Sequence, residues 1–471
     1  MTGTKSSSRV SVGLLSDRGP VLLAMMLSTA LIALDSTILA TAVPSIVADV
    51  GGFTEFPWLF SVYLLAQAVT VPLYGKLADL FGRKPIMLVG IGLFLLGSIL
   101  CGLAWNMGAL IGFRVIQGLG AGAIAPMTMT IAGDIYTTEE RAKAQGYIAS
   151  MWGVASVVGP TLGGLFSEYT SWRWIFLVNV PLCLLAAAMV MRNFAERIER
   201  TRPAMDYAGA VLLTSGLTLL ILALLEGGQL WSWTSPAGLA IVVAGVVLLV
   251  AFVLVQRAAA EPVLPLWVFR RRLLVSSGVA SAAIGAVVFG LTSYIPTYVQ
   301  DVLGYGPLVA GFALATLSIG WPVAASQSGR IYLRVGFRTC ALIGTSIALV
   351  GSLLLLLLDE QTSVWQVAGT CLLIGVGMGL TNSPTLIAAQ SSVGWGERGV
   401  VTANNLFLRS VGSAVGIAVF GALANAVLGS GHRTPAALTD VVQLIAVVIV
   451  GLAVVLLLAV AALPRSSALS D

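Results

Sequence analysis

The chain of 471 residues is 58 % hydrophobic and only 10 % charged, and its mean hydropathy is +0.97. A typical soluble domain carries about 25 % charged residues, and a chain of this length does not build a water-soluble core large enough for so much apolar surface. The composition therefore excludes an ordinary soluble protein and predicts an integral membrane protein whose partner is the lipid bilayer.

Apolar runs recur along the whole chain, and each is close to the roughly 20 residues that a helix needs to cross the hydrocarbon core. The runs are long and do not alternate between polar and apolar residues, which favours helices over barrel strands. The sequence predicts an all-α integral membrane protein with fourteen transmembrane helices, over residues 20–41, 58–75, 86–104, 107–132, 145–167, 174–192, 206–226, 236–256, 273–299, 307–328, 339–358, 364–386, 400–426 and 440–463.

The basic residues lie almost entirely on one side of these spans. With the N-terminus inside, 21 of the 25 Lys and Arg residues fall in inner segments, Arg173 and Arg433 fall outside, and Arg114 and Arg409 lie within spans. Cytoplasmic loops of membrane proteins are enriched in Lys and Arg, so we expect a multi-pass cell-membrane protein with both termini in the cytoplasm. This topology accounts for the net charge of +5, which therefore does not indicate binding to nucleic acid.

A ten-residue segment repeats weakly between the two parts of the chain. Residues 75–84 follow the second span and residues 329–338 follow the tenth, with glycines and basic residues aligned, although Asp79 has no counterpart. Internal repeats are typical of secondary transporters. We therefore predict two pseudo-symmetric six-helix bundles, over residues 1–192 and 273–471, with two additional transmembrane helices and their inner loops between them over residues 193–272.

Several motifs occur in the order found in a known family. Residues 75–84 resemble G-x-L-A-D-x-x-G-R-K, residues 114–121 resemble R-x-x-Q-G-x-G-A, and residues 153–164 resemble a motif rich in glycine of the fifth span. Residues 34–37 with Pro44, and residues 172–181, add further similarity. On these motifs the chain resembles the major facilitator superfamily, specifically its fourteen-helix drug:proton antiporter branch. Leu80 departs from the pattern, which usually has a basic residue there.

The resemblance implies the major facilitator fold and a proton-driven multidrug exporter that uses alternating access, with protons and a hydrophobic small molecule as partners and no bound cofactor. It assigns residues 75–84 to a gating loop and the motif of the fifth span to antiport, which favours export over uptake. From the residues alone, the loop could equally be a solvated turn, and the fifth span could simply pack closely. The residues concerned are Gly75, Asp79, Gly82, Arg83 and Lys84 in the loop, and Gly159, Pro160, Gly163 and Gly164 in the span.

Asp35 and Arg114 are opposite charges within spans. Asp35 is about 22 Å from the inner end of the first span and Arg114 is about 10 Å from the outer end of the fourth, so the two lie at similar depth in a core of about 30 Å. An unpaired charge there costs at least about 2.5 kcal/mol. We predict that the side chains interact across the central cavity, directly or through water, and that protonation of Asp35 frees Arg114. A permanent ion pair that fixes helix packing is the alternative.

Any proton carrier must be a carboxylate, because His432, the single histidine, falls in an outer loop. Glu226 and Asp134 are weaker candidates than Asp35, because both lie at ends of spans. Arg409 lies near the middle of the thirteenth span, and spans nine to fourteen contain no carboxylate away from their ends. That absence argues against dicationic substrates.

Polar, aromatic and flexible side chains within spans are candidates for a substrate pocket, because Met and aromatic residues suit a promiscuous surface. For each of them, helix packing or lipid contact is the alternative. The candidates are Tyr63, Gln67, Met127, Met151, Trp152, Tyr294, Trp321, Asn382, Asn405, Phe407 and Arg409.

Other classes of function are less well supported. A dedicated exporter of an endogenous lipid or metabolite fits the same motifs, and a solute importer of the same fold comes next. A membrane-embedded enzyme would need a nucleophile–base pair or a metal site, and the sequence offers neither. ATP-driven transport would need a phosphate-binding loop, and no G-x-x-x-x-G-K-[ST] occurs. We expect a monomer, and four Lys against 21 Arg indicate a bacterial source.

Overall fold

In the computed structural model, each predicted span corresponds to one long helix. The structure describes residues 13–464 apart from residues 15, 137, 197–205, 228–229, 233, 260–261, 395–396 and 429–433. The helices are α1 (Gly19–Val50), α2 (Pro57–Phe81), α3 (Arg83–Gly102), α4 (Met107–Ile135), α5 (Thr138–Tyr169), α6 (Trp174–Asn193, broken at Val178), α7 (Tyr207–Glu226), α8 (Pro236–Ala258), α9 (Arg272–Thr297), α10 (Pro307–Val335), α11 (Phe337–Leu355), α12 (Val364–Ser391), α13 (Arg398–Leu428) and α14 (Pro435–Ala461). A 3₁₀ turn (Leu266–Arg270) precedes α9, and a π-helical turn (Tyr298–Val302) ends it.

Length and apolar composition confirm the prediction of a membrane-spanning bundle. Within the described residues, thirteen of these helices are long and apolar enough to cross a membrane. The exception is α5, which has 32 residues but begins with a charged first turn and carries many small and polar residues. A helix of this composition is accommodated where it is covered by other helices, and α5 packs on both α1 and α10.

Several helices are longer than their apolar runs. α1 continues to Val50 rather than ending at residue 41, and α10 continues to Val335 rather than residue 328. A helix satisfies its own backbone hydrogen bonds at any depth, so it need not end where the hydrocarbon ends. Asp35 consequently lies in the middle of α1, and its depth in the membrane stays a prediction.

The two six-helix bundles repeat the same packing. In the N-terminal bundle α1 packs on α5 and α6, and α4 packs on α2 and α3; in the C-terminal bundle α9 packs on α13 and α14, and α12 packs on α10 and α11. Each contact recurs eight helices later, as expected of two copies of one six-helix unit with α7 and α8 between them. The bundles meet through α2 with α13 and through α5 with α10, two pairs that the repeat also relates.

The two additional helices are central in the sequence but peripheral in the structure. α7 and α8 pack on each other, and α7 also contacts α2 and α13 where the bundles meet. Trp58 in α2 donates its indole N–H to Glu226 at the end of α7 at 2.8 Å. Glu226, a weaker candidate for the proton carrier, is therefore engaged in fixing α7 to α2.

One end of the bundle is rich in basic residues. We call the end at which α1 begins the basic end and the other the opposite end. Ion pairs and caps at the basic end join helices of the same bundle: Arg18 pairs with Glu140 at 3.0 Å in the N-terminal bundle. In the C-terminal bundle, Arg338 donates to the carbonyl of Ala461 at 2.7 Å.

At the opposite end the two bundles are joined by a set of contacts that we call the seal. A Cβ on Gly164 of α5 would lie 2.7 Å from Leu308 Cα at the start of α10. A Cβ on Gly421 of α13 would lie 2.8 Å from Pro57 Cγ at the start of α2. These two contacts are counterparts in the repeat, because each places a glycine against the first turn of a helix of the other bundle.

Aromatic and polar contacts complete the seal. The rings of Phe56 and Tyr294 lie 5.4 Å apart, edge to face, between the bundles. Three hydrogen bonds of 3.2 Å also cross it: Ser61 Oγ to Ala414 O, Gln300 Nε2 to Thr41 O, and Asn425 Nδ2 to Thr54 O.

From the seal towards the basic end, the bundles diverge. A Cβ on Gly164 would lie 2.7 Å from the facing backbone, whereas a Cβ on Gly153, three turns nearer the basic end of α5, would have Pro322 Cγ at 3.7 Å as its nearest neighbour. A Cβ on Gly75, near the basic end of α2, would meet no described atom within 4 Å. The contacts between the bundles are thus tightest at the opposite end and loosen towards the basic end.

Candidate functional site: a buried charge cluster

Asp35 and Arg114 form an ion pair inside the N-terminal bundle. Arg114 Nη1 lies 2.6 Å from Asp35 Oδ2, and each side chain is 1 % exposed. Arg114 Nε donates to the Leu59 carbonyl at 3.0 Å, and Nη1 also donates to Gln117 Oε1 at 2.6 Å. The guanidinium group therefore joins α1, α2 and α4.

Gln117 and Asn179 surround the Asp35 carboxylate. Gln117 Nε2 donates to Asp35 Oδ1 at 2.7 Å and to Ser98 Oγ of α3 at 2.9 Å, and Asn179 Nδ2 of α6 lies 3.5 Å from the same Oδ1. A buried polar atom left without a partner costs about 1–3 kcal/mol. These donors from α4 and α6 satisfy the carboxylate where water does not reach it.

Aromatic rings cover the guanidinium group. The Arg114 Cζ atom lies 4.1 Å from the centre of the Tyr63 ring and 5.9 Å from that of Phe176. Such cation–π contacts stabilise a desolvated cation. We predicted that Tyr63 lines a substrate pocket; it is buried instead and belongs to the charge cluster.

Two glycines allow the helices to close around the cluster. A Cβ on Gly97 of α3 would lie 2.6 Å from the Gln117 nitrogen, and a Cβ on Gly118 would lie 2.6 Å from the Tyr63 carbonyl oxygen of α2. Small residues let membrane helices approach closely. In the R-x-x-Q-G pattern, Arg114 and Gln117 supply the polar groups, and Gly118 lets α2 pack over them.

The pair does not lie across the central cavity. The direct contact between Asp35 and Arg114 agrees with one of the two arrangements that we predicted, but both side chains point into the N-terminal bundle. Their partners come from α2, α4 and α6, none of which belongs to the C-terminal bundle. A molecule between the bundles does not touch Asp35 in this arrangement.

Residues 75–84 do not form a loop, which corrects the predicted conformation, while their role in gating stays a prediction. α2 continues through Phe81, and Gly82, with φ of 97°, is the single residue between α2 and α3. Gly75 and Asp79 lie in the last turns of α2, because the charged residues prolong the helix beyond its apolar part. The side chain of Asp79, and with it the predicted contact to a helix N-terminus, lies outside the described residues.

Arg83 and Lys84 begin α3 and are held by the segment after α6. The backbone N–H groups of Arg83 and Lys84 donate to the Glu196 carboxylate at 2.6 and 3.0 Å, where the helix dipole favours an anion. Lys84 Nζ in turn donates to the carbonyls of Met191 and Phe194 at 2.8 and 2.7 Å, at the end of α6. The ends of α3 and α6 therefore cap each other.

The Arg83 side chain adds two ion pairs to this contact. Its Nε lies 3.2 Å from Asp134 Oδ2 at the end of α4, and its Nη1 lies 3.8 Å from Glu196 Oε1. Asp134, a weaker candidate for the proton carrier, is therefore paired at the basic end. Glu196 was not among the predicted site residues; its place in the charged stretch directly after the sixth span was the available signal.

The glycines of α5 face two different helices. Gly159 and Gly163 pack against Thr37 and Ile38 of α1, within the N-terminal bundle. Gly164, the neighbour of Gly163, packs on α10 in the seal. The motif of the fifth span therefore serves both the packing of one bundle and the contact between the two.

Pro160 lies where α1, α5 and α10 meet. Its carbonyl oxygen accepts a hydrogen bond from Thr41 Oγ1 of α1 at 3.3 Å and lies directly against Gly311 of α10. The junction has room for glycine at residue 311 and for nothing larger.

The comparisons with known proteins agree with this architecture. Residues 25–417 match the family model described as "Major Facilitator Superfamily". The chain belongs to this superfamily. It is accordingly a membrane transporter and not an enzyme.

Relatives of this superfamily member are named for multidrug resistance, multidrug transport and efflux. It is 35 % identical over 401 residues to "Multidrug resistance protein 3" of Bacillus subtilis (strain 168), over 85 % of this chain and 78 % of that protein. It is 35 % identical over 398 residues to "Multidrug transporter protein MdtP" of the same organism, over 84 % and 74 %. It is 32 % identical over 418 residues to "Efflux pump FUS6" of Gibberella fujikuroi, over 86 % and 75 %.

Solved structures share the fold at low sequence identity. A bacterial homologue of the human lysosomal transporter Spinster, in an inward-facing and unoccupied conformation, superimposes with a TM-score of 0.68 at 17 % identity over 95 % of this chain and 96 % of that chain. The peptide transporter POT gives a TM-score of 0.68 at 15 % identity over 93 % of both chains. These similarities establish the major facilitator fold.

The remaining predicted pocket residues of this superfamily member fall into two groups. Tyr294, Asn405, Met127 and Phe407 are buried, so none is open to a substrate in this arrangement. Tyr294 belongs to the seal. The others stay candidates for substrate contact, because they are partly or substantially exposed: Gln67, Met151, Trp152, Trp321, Asn382 and Arg409.

Asn405 fixes α13 to α9. Its Oδ1 accepts from Ser277 Oγ at 2.9 Å and from Ser281 Oγ at 2.7 Å. Its Nδ2 donates to the Val401 carbonyl of its own helix at 3.0 Å. With three partners and 5 % exposure, Asn405 holds helices together instead of lining a pocket.

Proposed function

We propose that this protein is a proton-coupled exporter of hydrophobic small molecules that works by alternating access, with the basic end facing the cytoplasm. The buried Asp35–Arg114 pair carries the proposal. Ionisable groups within a membrane are functional sites by default, and Asp35 is the one carboxylate in the sequence that lies far from the ends of the predicted spans.

Export and orientation have separate support. The relatives named above as multidrug transporters and an efflux pump favour export of small molecules. The excess of Lys and Arg at the basic end favours a cytoplasmic position for that end. In this orientation, the arrangement described above is open to the cytoplasm and closed to the outside.

Protonation of Asp35 changes what Arg114 can hold. The ionised carboxylate accepts from Arg114 at 2.6 Å and from Gln117 at 2.7 Å. A proton removes the charge that balances the guanidinium group, and an unbalanced cation at this depth costs at least about 2.5 kcal/mol. The cluster must then rearrange, which makes it a switch with two states.

α2 provides a route from this switch to the seal. Arg114 holds the Leu59 carbonyl, and within one turn of Leu59 lie Pro57, which packs on Gly421, and Ser61, which donates to Ala414. A movement of Arg114 therefore acts on the turn of α2 that joins the two bundles. We infer that a proton on Asp35 weakens the seal, so that the protein opens to the outside and releases its substrate.

The proposal is tested by dye transport in proteoliposomes with an imposed proton gradient. Ethidium and fluorescein represent a cationic and an anionic hydrophobic molecule. We expect the wild type to move at least one of them against the proton flow, and we expect Asp35→Asn to insert normally but to lose transport driven by the gradient.

Asp49→Asn is the matched control. Asp49 lies at the opposite end of the same helix and binds Arg173 at 2.7 Å in a partly exposed pair, so this variant should retain transport. Unchanged transport by Asp35→Asn would make the pair structural. Transport of neither dye by the wild type would favour a dedicated exporter of a lipid or metabolite, and accumulation with the proton flow would indicate an importer.

A further inference from the structure

A second intramembrane arginine, Arg409, has no counter-ion among the described residues. It lies three turns into α13, and its side chain is partly exposed. Within the described part of the chain, its guanidinium group forms no hydrogen bond and no ion pair. Arg114, by contrast, has a carboxylate, an amide and a carbonyl as partners.

Among the described residues, no carboxylate forms an ion pair with Arg409. The acidic residues of residues 273–471 are Asp301, Asp359, Glu360, Glu397, Asp440 and Asp471, all of which lie outside the middle of the predicted spans. Asp35, the one acid at mid-depth, is buried in the other bundle and bound to Arg114. The middle of the membrane therefore carries one negative and two positive side chains.

An unneutralised cation at this depth requires a water-filled cavity or a ligand. Arg409 differs from the buried pair in being partly exposed, and the space between the bundles is open towards the basic end. An arginine presents several N–H donors in a planar fork that matches a carboxylate. The most favourable partner for such a group is an anion that arrives through the open end.

The turn of α13 next to Arg409 also has free polar groups. Asn404 is 4 % exposed, and neither its Oδ1 nor its Nδ2 has a hydrogen-bond partner among the described residues. Asn405, beside it, is fully used in holding α9. Buried amides without partners are rare, so the turn of α13 before Arg409 carries unsatisfied polar atoms as well as a cation without a partner among the described residues.

We propose that Arg409 binds the acidic group of the transported molecule, so that the substrates include hydrophobic anions such as aromatic carboxylates. The inference rests on the proposed export function and names a substrate class for it. The aromatic part of the molecule would lie between the bundles, and the carboxylate would form a bidentate pair with the guanidinium group.

Binding of two matched dyes to the purified protein in nanodiscs tests the proposal without any proton gradient. Fluorescein and the cationic rhodamine methyl ester share a xanthene core and differ in charge. At fixed alkaline pH, Arg409→Gln should weaken fluorescein binding about tenfold or more, as expected for the loss of a charge-assisted hydrogen bond. Arg409→Lys should keep most of the affinity, and binding of the rhodamine ester should not weaken in either variant.

The possible outcomes separate the two proposals. Equal loss of affinity for both dyes in Arg409→Gln would assign Arg409 a structural role and overturn the inference. Unchanged fluorescein binding in this variant, or no fluorescein binding by the wild type, would also overturn it. None of these results bears on the effect of Asp35→Asn on ethidium transport. Conversely, selective loss of fluorescein binding supports the inference even if transport does not follow the proton gradient.

Discussion

The Asp35–Arg114 pair combines complete burial with a full set of hydrogen-bond partners. Each side chain is 1 % exposed, and the pair is joined by a contact of 2.6 Å. A buried ion pair adds little net stability, because desolvation offsets the attraction, but removing one partner leaves an uncompensated charge. The arrangement is therefore stable while both charges are present, and it must rearrange when a proton neutralises Asp35, because the Arg114 guanidinium group stays charged.

This asymmetry predicts the effect of single and double substitutions on stability. Arg114→Gln should destabilise the protein by about 3–5 kcal/mol, because it leaves the Asp35 carboxylate buried without a cation. The double variant Asp35→Asn/Arg114→Gln should recover much of that loss, since amides replace both charges. Thermal unfolding in detergent measures the relative stability of the wild type, the single variant and the double variant. A double variant less stable than Arg114→Gln would contradict the prediction.

At this scale the sequence predicted the partners but not their surroundings. Counting residues along two spans brought Asp35 and Arg114 to similar depth, and the cost of isolated charges predicted their contact. Which side of each helix faces the cavity depends on packing. The close approach at Gly97 and Gly118 closes α2 and α3 over the pair, and no pattern in a single sequence reports such a contact.

Among the elements, α5 and α13 connect the two bundles. Both carry a pair of glycines four residues apart that packs within its own bundle, Gly159 with Gly163 and Gly412 with Gly416. Both also place a further glycine in the seal. The repeat thus extends to the residues through which the bundles touch, although little sequence similarity marks it.

Substitutions of the glycines in the seal should impair closure of the seal without preventing the protein from folding. Gly164→Val and Gly421→Val should keep the seal from closing, since a Cβ would meet Leu308 or Pro57 at 2.7–2.8 Å. A cysteine introduced near the opposite end of α1, between the bundles, should then react faster with a water-soluble maleimide. Gly153→Ala is the control, because its nearest neighbour lies at 3.7 Å. Reaction rates equal to wild type would show that these contacts do not close the protein.

The predicted gating loop shows where hydropathy misleads. Lys76 and Asp79 suggested that the second span ends at residue 75, but α2 runs to Phe81 before Gly82 breaks it. Charges are tolerated in a helix that emerges from the hydrocarbon, so polarity marks the membrane surface and not the end of the helix. The glycine at residue 82, which takes φ of 97° in the structure, was the better signal in the sequence for the boundary.

For the whole molecule, hydropathy and the distribution of basic residues were enough to predict the number of helices, and the resemblance of the motifs to a known family predicted the fold. The arrangement of the bundles was not predictable, because in our account one sequence adopts two arrangements. The seal at the opposite end and the divergence of α5 from α10 define the arrangement described here. In our account the proton on Asp35 selects between it and its counterpart, through Arg114 and the turn of α2 around Leu59.

The distance between the bundles at the opposite end tests this central claim most directly. Spin labels attached at Thr170→Cys and Glu360→Cys, both exposed positions, report that distance by double electron–electron resonance. The four native cysteines are buried, so the labels should react with the two introduced cysteines. In the wild type, we expect a short distance at alkaline pH and, at acidic pH, a second population with a longer distance. In Asp35→Asn, we expect the longer distance at every pH. The same pH dependence in Asp35→Asn as in the wild type would contradict the account.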